Sequence, residues 1–133
     1  MKTQKLIHRR AGFTLVEIMI VVAIISLLAA IATAGFIRAR KRAQATRVLD
    51  DLRLLDAAVD QYALETAKLA GANPAFSDVK VYLKANQSLV NTGADIFGNN
   101  YGPFTVDQYP KVPASTFDAL SDVADTNFWS PYN

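Results

Sequence analysis

The stretch Gly12-Phe13-Thr14-Leu15-Val16-Glu17 runs without a break into an apolar segment that ends at Ile37. From Ile18 to Ile37, twenty consecutive residues carry no charge. At a rise of about 1.5 Å per residue, a helix of that length matches the roughly 30 Å hydrocarbon thickness of a bilayer. Glu17, just inside the front of the segment, is the anomaly. A carboxylate at the centre of a membrane helix costs on the order of 2.5–3.5 kcal/mol. Near the end of the span the cost is smaller, but the charge still calls for a positive partner.

A short leader, residues 1–12, precedes the segment and carries Lys2, Lys5, Arg9 and Arg10. Cationic flanks favour the cytoplasmic side of a membrane. Arg38, Arg40, Lys41 and Arg42 flank the other end equally strongly, so charge alone leaves the orientation open. Basic leader, Gly12, Phe13-Thr14-Leu15-Val16-Glu17 and uncharged helix together resemble the class III signal of type IV pilins and type II secretion pseudopilins. The resemblance implies cleavage between Gly12 and Phe13 by a prepilin peptidase acting on the cytoplasmic side, followed by N-methylation of Phe13. It also implies that Glu17 meets the new terminal amine of a neighbouring subunit, which supplies the missing positive charge.

Composition narrows the classes. The chain has 133 residues, room for one small domain beyond the apolar segment. Its pI of about 9.0 owes much to the leader. Without Lys2, Lys5, Arg9 and Arg10, ten basic residues face twelve acidic ones, a balance of −2, and no nucleic-acid partner is expected. There is no cysteine, which excludes a disulfide framework and a thiolate metal site. The one histidine, His8, lies in the leader, so a cleaved chain holds no imidazole base. Serine nucleophiles usually need a His or Lys held close by, and no Ser–Lys spacing stands out, so the chain reads as a non-enzyme.

Past the apolar span the pattern changes without a helix breaker, since no proline occurs before Pro74. Val48, Leu52, Leu55, Val59 and Tyr62 recur at spacings of four and three, an amphipathic stripe that predicts a helix from residue 13 to about 68. The stripe is expected to pack on a head domain rather than form a partner coiled coil. Charge is blocked along it: basic from Arg38 to Arg47, mostly acidic from Asp50 to Glu65. The plain reading is a solvated face with phospholipid contact by the basic block. The sharper one matches Arg38, Arg40, Lys41 and Arg42 of one subunit to the acidic block of a neighbour. Where many pilin-like proteins carry proline, this chain has Ala34-Gly35.

Gly71, Asn73 and Pro74 mark a turn off the helix. Phe76 to Val90 reads as a short helix with Ser77 as its N-cap, and Phe117 to Val123 as another. Asp95-Ile96-Phe97-Gly98-Asn99-Asn100-Tyr101 resembles the Asp-Pro-Trp-Gly-Asn-Pro-Tyr turn of major pseudopilins, with both prolines and the Trp replaced. Tyr101 to Val106 has the composition of a strand after it. Phe128-Trp129-Ser130-Pro131-Tyr132 is an aromatic tail suited to closing a core. Major pseudopilins often bind calcium in a C-terminal loop, and Asp118, Asp122 and Asp125 offer oxygen ligands. Their spacing of four and three puts them on one helical face, so they read as a solvated acidic face and no cofactor is assigned.

A rival reading treats Ala32-Thr33-Ala34 as an ordinary signal-peptide site, leaving residues 35–133 as a secreted soluble binding domain cleaved after Ala34. Against it, the apolar run exceeds the usual 7–15 residues of a signal core. It also contains Glu17 and continues helically through the supposed cut. A plain single-pass anchor leaves Gly12 and Glu17 unexplained. The expected fold is α+β: a long N-terminal helix and a small head with a short helix and a small antiparallel sheet. The expected organisation is a leader at 1–12, a transmembrane or filament-core helix at 13–37, its amphipathic continuation at 38–69 and a periplasmic head at 70–133. The resemblance implies a filament subunit, a single-pass protein of the bacterial inner membrane. Its implied partners are copies of itself, prepilin peptidase, an inner-membrane assembly platform and minor subunits. The short head, the absence of cysteine and the Asp95–Tyr101 turn favour a pseudopilus over a pilus.

Overall fold

A computed structural model describes residues 12–83 and 87–133; residues 1–11 of the predicted leader lie outside them. The dominant element is α1, Leu15–Thr66, which runs through Ala34 and Gly35 without interruption. The chain divides into two compact units between Ile37 and Arg38.

In the first unit every described residue is exposed, including Leu15, Val16 and the large aliphatics from Ile18 to Ile37. α1 is the one helix among the described residues long and apolar enough to cross a membrane. Its few polar side chains are satisfied locally. The Ser26 hydroxyl donates to the Val22 carbonyl at 2.8 Å, and the Thr33 hydroxyl to the Ala29 carbonyl at 2.8 Å. Such bonds to the preceding turn are what a hydroxyl needs where no water reaches it.

In the second unit the rear of α1 is the spine of the core. Val48, Leu52, Leu55 and Val59 are buried and Tyr62 is half-buried, so the stripe does pack on the head. Ala45, Leu49 and Ala58 join them on the same face. Around this face gather Val79, Leu83, Leu89, Tyr101, Phe104, Val106, Leu120, Ala124, Trp129 and Tyr132. Burying one Leu-sized side chain is worth about 1.5–3 kcal/mol, so the stripe and the ring of residues around it dominate the stability of this unit. The aromatic tail closes the core as expected, with Trp129 completely buried.

α1 ends at Thr66, two residues before the expected stop. Ala67 turns into the left-handed region at φ +52°, and the Lys68 amide bonds the Ala63 carbonyl at 3.1 Å. That six-to-one bond is the Schellman closure, made here without the usual glycine. The helix expected over Phe76–Val90 is instead broken into α2 (Phe76–Val79), a 3-10 turn (Lys80–Tyr82) and α3 (Gln87–Thr92). Ser77 is not the N-cap. The cap position is Ala75, whose amide donates to the Asp78 carboxylate at 3.1 Å. Gly93 follows α3 at φ +63°, and a Cβ there would come within 2.9 Å of the Phe76 ring, so only glycine fits.

α4 spans Ala114–Leu120, beginning three residues before the expected Phe117 because Pro113 presets the turn. α5 spans Thr126–Trp129, with the Asp125 carboxylate capping the Phe128 amide at 3.0 Å. The small antiparallel sheet is not found among the described residues, where an isolated bridge, Ala94 to Asn100, stands in its place. Pro103 has no N–H to donate, which interrupts any ladder through Tyr101–Val106. The flanking amides turn elsewhere: Tyr101 to the Gly93 carbonyl at 2.9 Å, and Val106 to the Ala72 carbonyl at 2.8 Å.

Candidate functional site

The N-terminal motif is a compact hydrogen-bonded ring. Gly12, Phe13 and Thr14 precede α1 as exposed, non-helical chain, with the Gly12–Phe13 bond two residues ahead of its first turn. Thr14 occupies the cap position and Glu17 the third helical position, the reciprocal arrangement of a capping box. The Glu17 amide donates to the Thr14 hydroxyl oxygen at 3.2 Å. In return one carboxylate oxygen, Oε2, accepts from the Thr14 amide at 2.7 Å and from the Thr14 hydroxyl at 2.8 Å. A carboxylate also suits the positive end of a helix dipole. Sequence reasoning passed over Thr14, although Thr-x-x-Glu ahead of an apolar run is a legible capping signature.

The basic block divides by role. Lys41 Nζ lies 2.9 Å from Asp122 Oδ2. That bond, helped by Lys41 and Arg38 as charges, holds the Asp122 carboxyl below the usual range. Arg42 donates to the Val123 carbonyl and stacks its guanidinium 4.1 Å from the centroid of the Phe128 ring. Both side chains therefore tie the C-terminal segment to α1. Arg40 is exposed and makes no hydrogen bond or ion pair among the described residues. The pairing of Lys41 and Arg42 across 81 residues carried no signal in the sequence.

The Asp95–Tyr101 turn is built around one carboxylate. Asp95 Oδ1 accepts from the Phe97 amide at 2.8 Å and the Asn99 amide at 2.9 Å, while Oδ2 accepts from the Thr116 hydroxyl. Asn99 Nδ2 closes the set on Thr116 Oγ1 at 2.8 Å. Tyr101 then reaches back to α1, where its hydroxyl donates to the buried Asp51 carboxylate at 3.3 Å. The three carboxylates offered for calcium do not converge: Asp122 is paired with Lys41 and Asp125 caps α5. Among the described residues no three His, Cys, Asp or Glu side chains are grouped to hold a metal ion.

Burial, then the charges of Asp51 and Asp95, push the Tyr101 phenol far above the ordinary tyrosine range. Tyr82 and Tyr132 are raised as well, the first chiefly by its bond to Glu65 and the second chiefly by burial. The folded head thus keeps protons that the unfolded chain releases at about pH 10. Stability from these phenols is complete below that pH and falls as pH rises past it. Urea melts of the detergent-solubilised chain should show this alkaline loss, and Tyr101→Phe should flatten its slope. At neutral pH the same substitution should cost about 1.5–3 kcal/mol, the worth of a hydrogen bond to a charged group. An unchanged alkaline slope in Tyr101→Phe would contradict the assignment.

Comparison with known proteins places the N-terminal region first. Residues 7–33 match the model of the prokaryotic N-terminal methylation motif. The chain is 34% identical over 61 residues to the type II secretion system core protein G of Klebsiella pneumoniae, covering 46% of this chain and 44% of that protein. It is 35% identical over 85 residues to the type IV major alpha-pilin of Moraxella bovis, covering 64% of this chain and 50% of that pilin. It is 36% identical over 104 residues to fimbrial protein Q of the same organism, covering 71% of this chain and 66% of that protein. The chain therefore spans less than two thirds of the length of each of these relatives. No solved structure matches it significantly. Through its N-terminal methylation motif and over part of its length, the chain is thus similar to type IV pilins and a type II secretion core protein.

Proposed function

We propose that this chain is a structural subunit of a type II secretion pseudopilus or a related type IV pilus-like filament. The observation that carries the proposal is the coincidence of a methylation motif over residues 7–33 with an exposed helix that carries Glu17 in its first turn and no charge from Ile18 to Ile37. A prepilin peptidase cuts between Gly12 and Phe13, and Phe13 becomes the methylated terminus. The subunit waits in the bacterial inner membrane with its head in the periplasm. An assembly platform then draws it into a filament with copies of itself and with minor subunits. Lateral packing against sister helices replaces lipid around Ile18–Ile37. The Cys-free head and the Asp95–Tyr101 turn favour the pseudopilus. The continuous helix through Ala34-Gly35 supports this reading over signal cleavage after Ala34, which needs extended chain.

Glu17→Ala and Glu17→Lys should abolish assembly while leaving membrane insertion intact, read as sedimentable filament against membrane-extracted monomer. Normal filament yield from either variant would contradict the pairing of Glu17 with a terminal amine.

Arg38 and Arg40 are the exposed members of the Arg38–Arg42 block available to a neighbour's acidic face, because Lys41 and Arg42 are engaged within their own head. Arg40→Glu should therefore lower filament yield with the head's melting unchanged, whereas Arg42→Glu should destabilise the head itself. Wild-type assembly of Arg40→Glu would remove the intersubunit role.

A further inference from the structure

Of the four cations that follow the apolar run, two are engaged by their own head, Lys41 with Asp122 and Arg42 with the Val123 carbonyl. Arg38 and Arg40 are exposed, and neither makes a hydrogen bond or ion pair among the described residues. Arg38 acts on Asp122 only as a charge. It directly follows Ile37, the last of twenty uncharged residues, and α1 continues through both cations without a break. Where that run lies in a bilayer, the two guanidinium groups fall at the level of the lipid headgroups. Two residues apart on a helix are turned by about 200°, so Arg38 and Arg40 lie on opposite sides of α1. One flat protein face cannot take both at once. Headgroups surround the helix and can.

We propose that Arg38 and Arg40 form a collar for anionic phospholipid in the stored subunit, each taking a separate headgroup phosphate on its own side of α1. The planar guanidinium fork matches two phosphate oxygens at a time. A headgroup with net negative charge is preferred, because the ammonium of a zwitterionic one offsets the attraction. Each cation at an anionic surface is worth about a fivefold preference. The collar needs α1 in a bilayer, which is part of the reading above, but it needs no filament. It can therefore fail while the filament reading stands.

The full-length chain in neutral detergent, before any assembly, is titrated with phosphatidylglycerol or phosphatidylcholine, and bound lipids are counted by native mass spectrometry. The leader's cations contribute binding common to every variant, so the readout is the loss relative to wild type. Arg38→Gln and Arg40→Gln should each remove one tightly bound phosphatidylglycerol and the double variant two, with affinity down about fivefold at each lost site. Phosphatidylcholine binding should not change. Arg47→Gln, at an exposed cation seven residues beyond Arg40, should lose none. If both single variants lose the same one lipid, the two cations share a site and the collar is wrong. An equal loss in Arg47→Gln, or equal binding of the two lipids by the wild-type chain, would also overturn it. So would displacement of phosphatidylglycerol by inorganic phosphate at matched concentration, which would mark a site for the phosphate group alone.

Discussion

An uncharged helical run with no apolar cover is the constraint on which the rest depends. Every residue from Gly12 to Arg40 is exposed, and that stretch includes the twenty uncharged residues from Ile18 to Ile37. Leaving that many large aliphatics in water is untenable, at about 25 cal/mol for each Å² of apolar surface. Two environments can cover them: lipid, or other copies of the same helix. Neither tolerates an unpartnered backbone or side-chain dipole, and the segment is built accordingly. Ser26 and Thr33 bond back to their own helix, and Glu17 folds onto Thr14.

The head solves a different problem, stability in a small unit without cysteine. Its answer is to use the rear of the same helix as the core's spine and to pin the chain's end against it. Arg42 and Lys41 fasten the segment around Val123, while Asp51 receives Tyr101 from the far end of the turn. Exposed ion pairs are worth little by themselves, so the Lys41–Asp122 bond orients more than it stabilises. The stacked and hydrogen-bonded Arg42 and the buried Asp51–Tyr101 contact are the stronger fasteners.

Much of this was legible in the sequence, because periodic and compositional signals are local. The uncharged run, the stripe from Val48 to Tyr62 and the aromatic tail each declare their environment by spacing alone. The capping pair Thr14 and Glu17 was equally local, yet Glu17 drew attention as a charge rather than as a cap. What stayed hidden depends on contacts distant in sequence. Nothing in Arg38-Ala39-Arg40-Lys41-Arg42 distinguishes the two cations that bind their own head from Arg38 and Arg40. The expected sheet is not found among the described residues, where Pro103, with no N–H to donate, interrupts a ladder through the β-rich Tyr101–Val106. Val79, Leu83 and Leu89, from the short pieces found within Phe76–Val90, are buried in the same core cluster as the stripe of α1.

The central claim is that the chain is cut at Gly12–Phe13 and keeps its apolar helix for assembly. The most direct measurement is the intact mass and N-terminal residue of the protein extracted from membranes. A chain beginning at N-methylated Phe13 is the predicted result. A chain beginning at Gly35 would remove the apolar helix and Glu17 from the final protein, and would contradict the filament account outright.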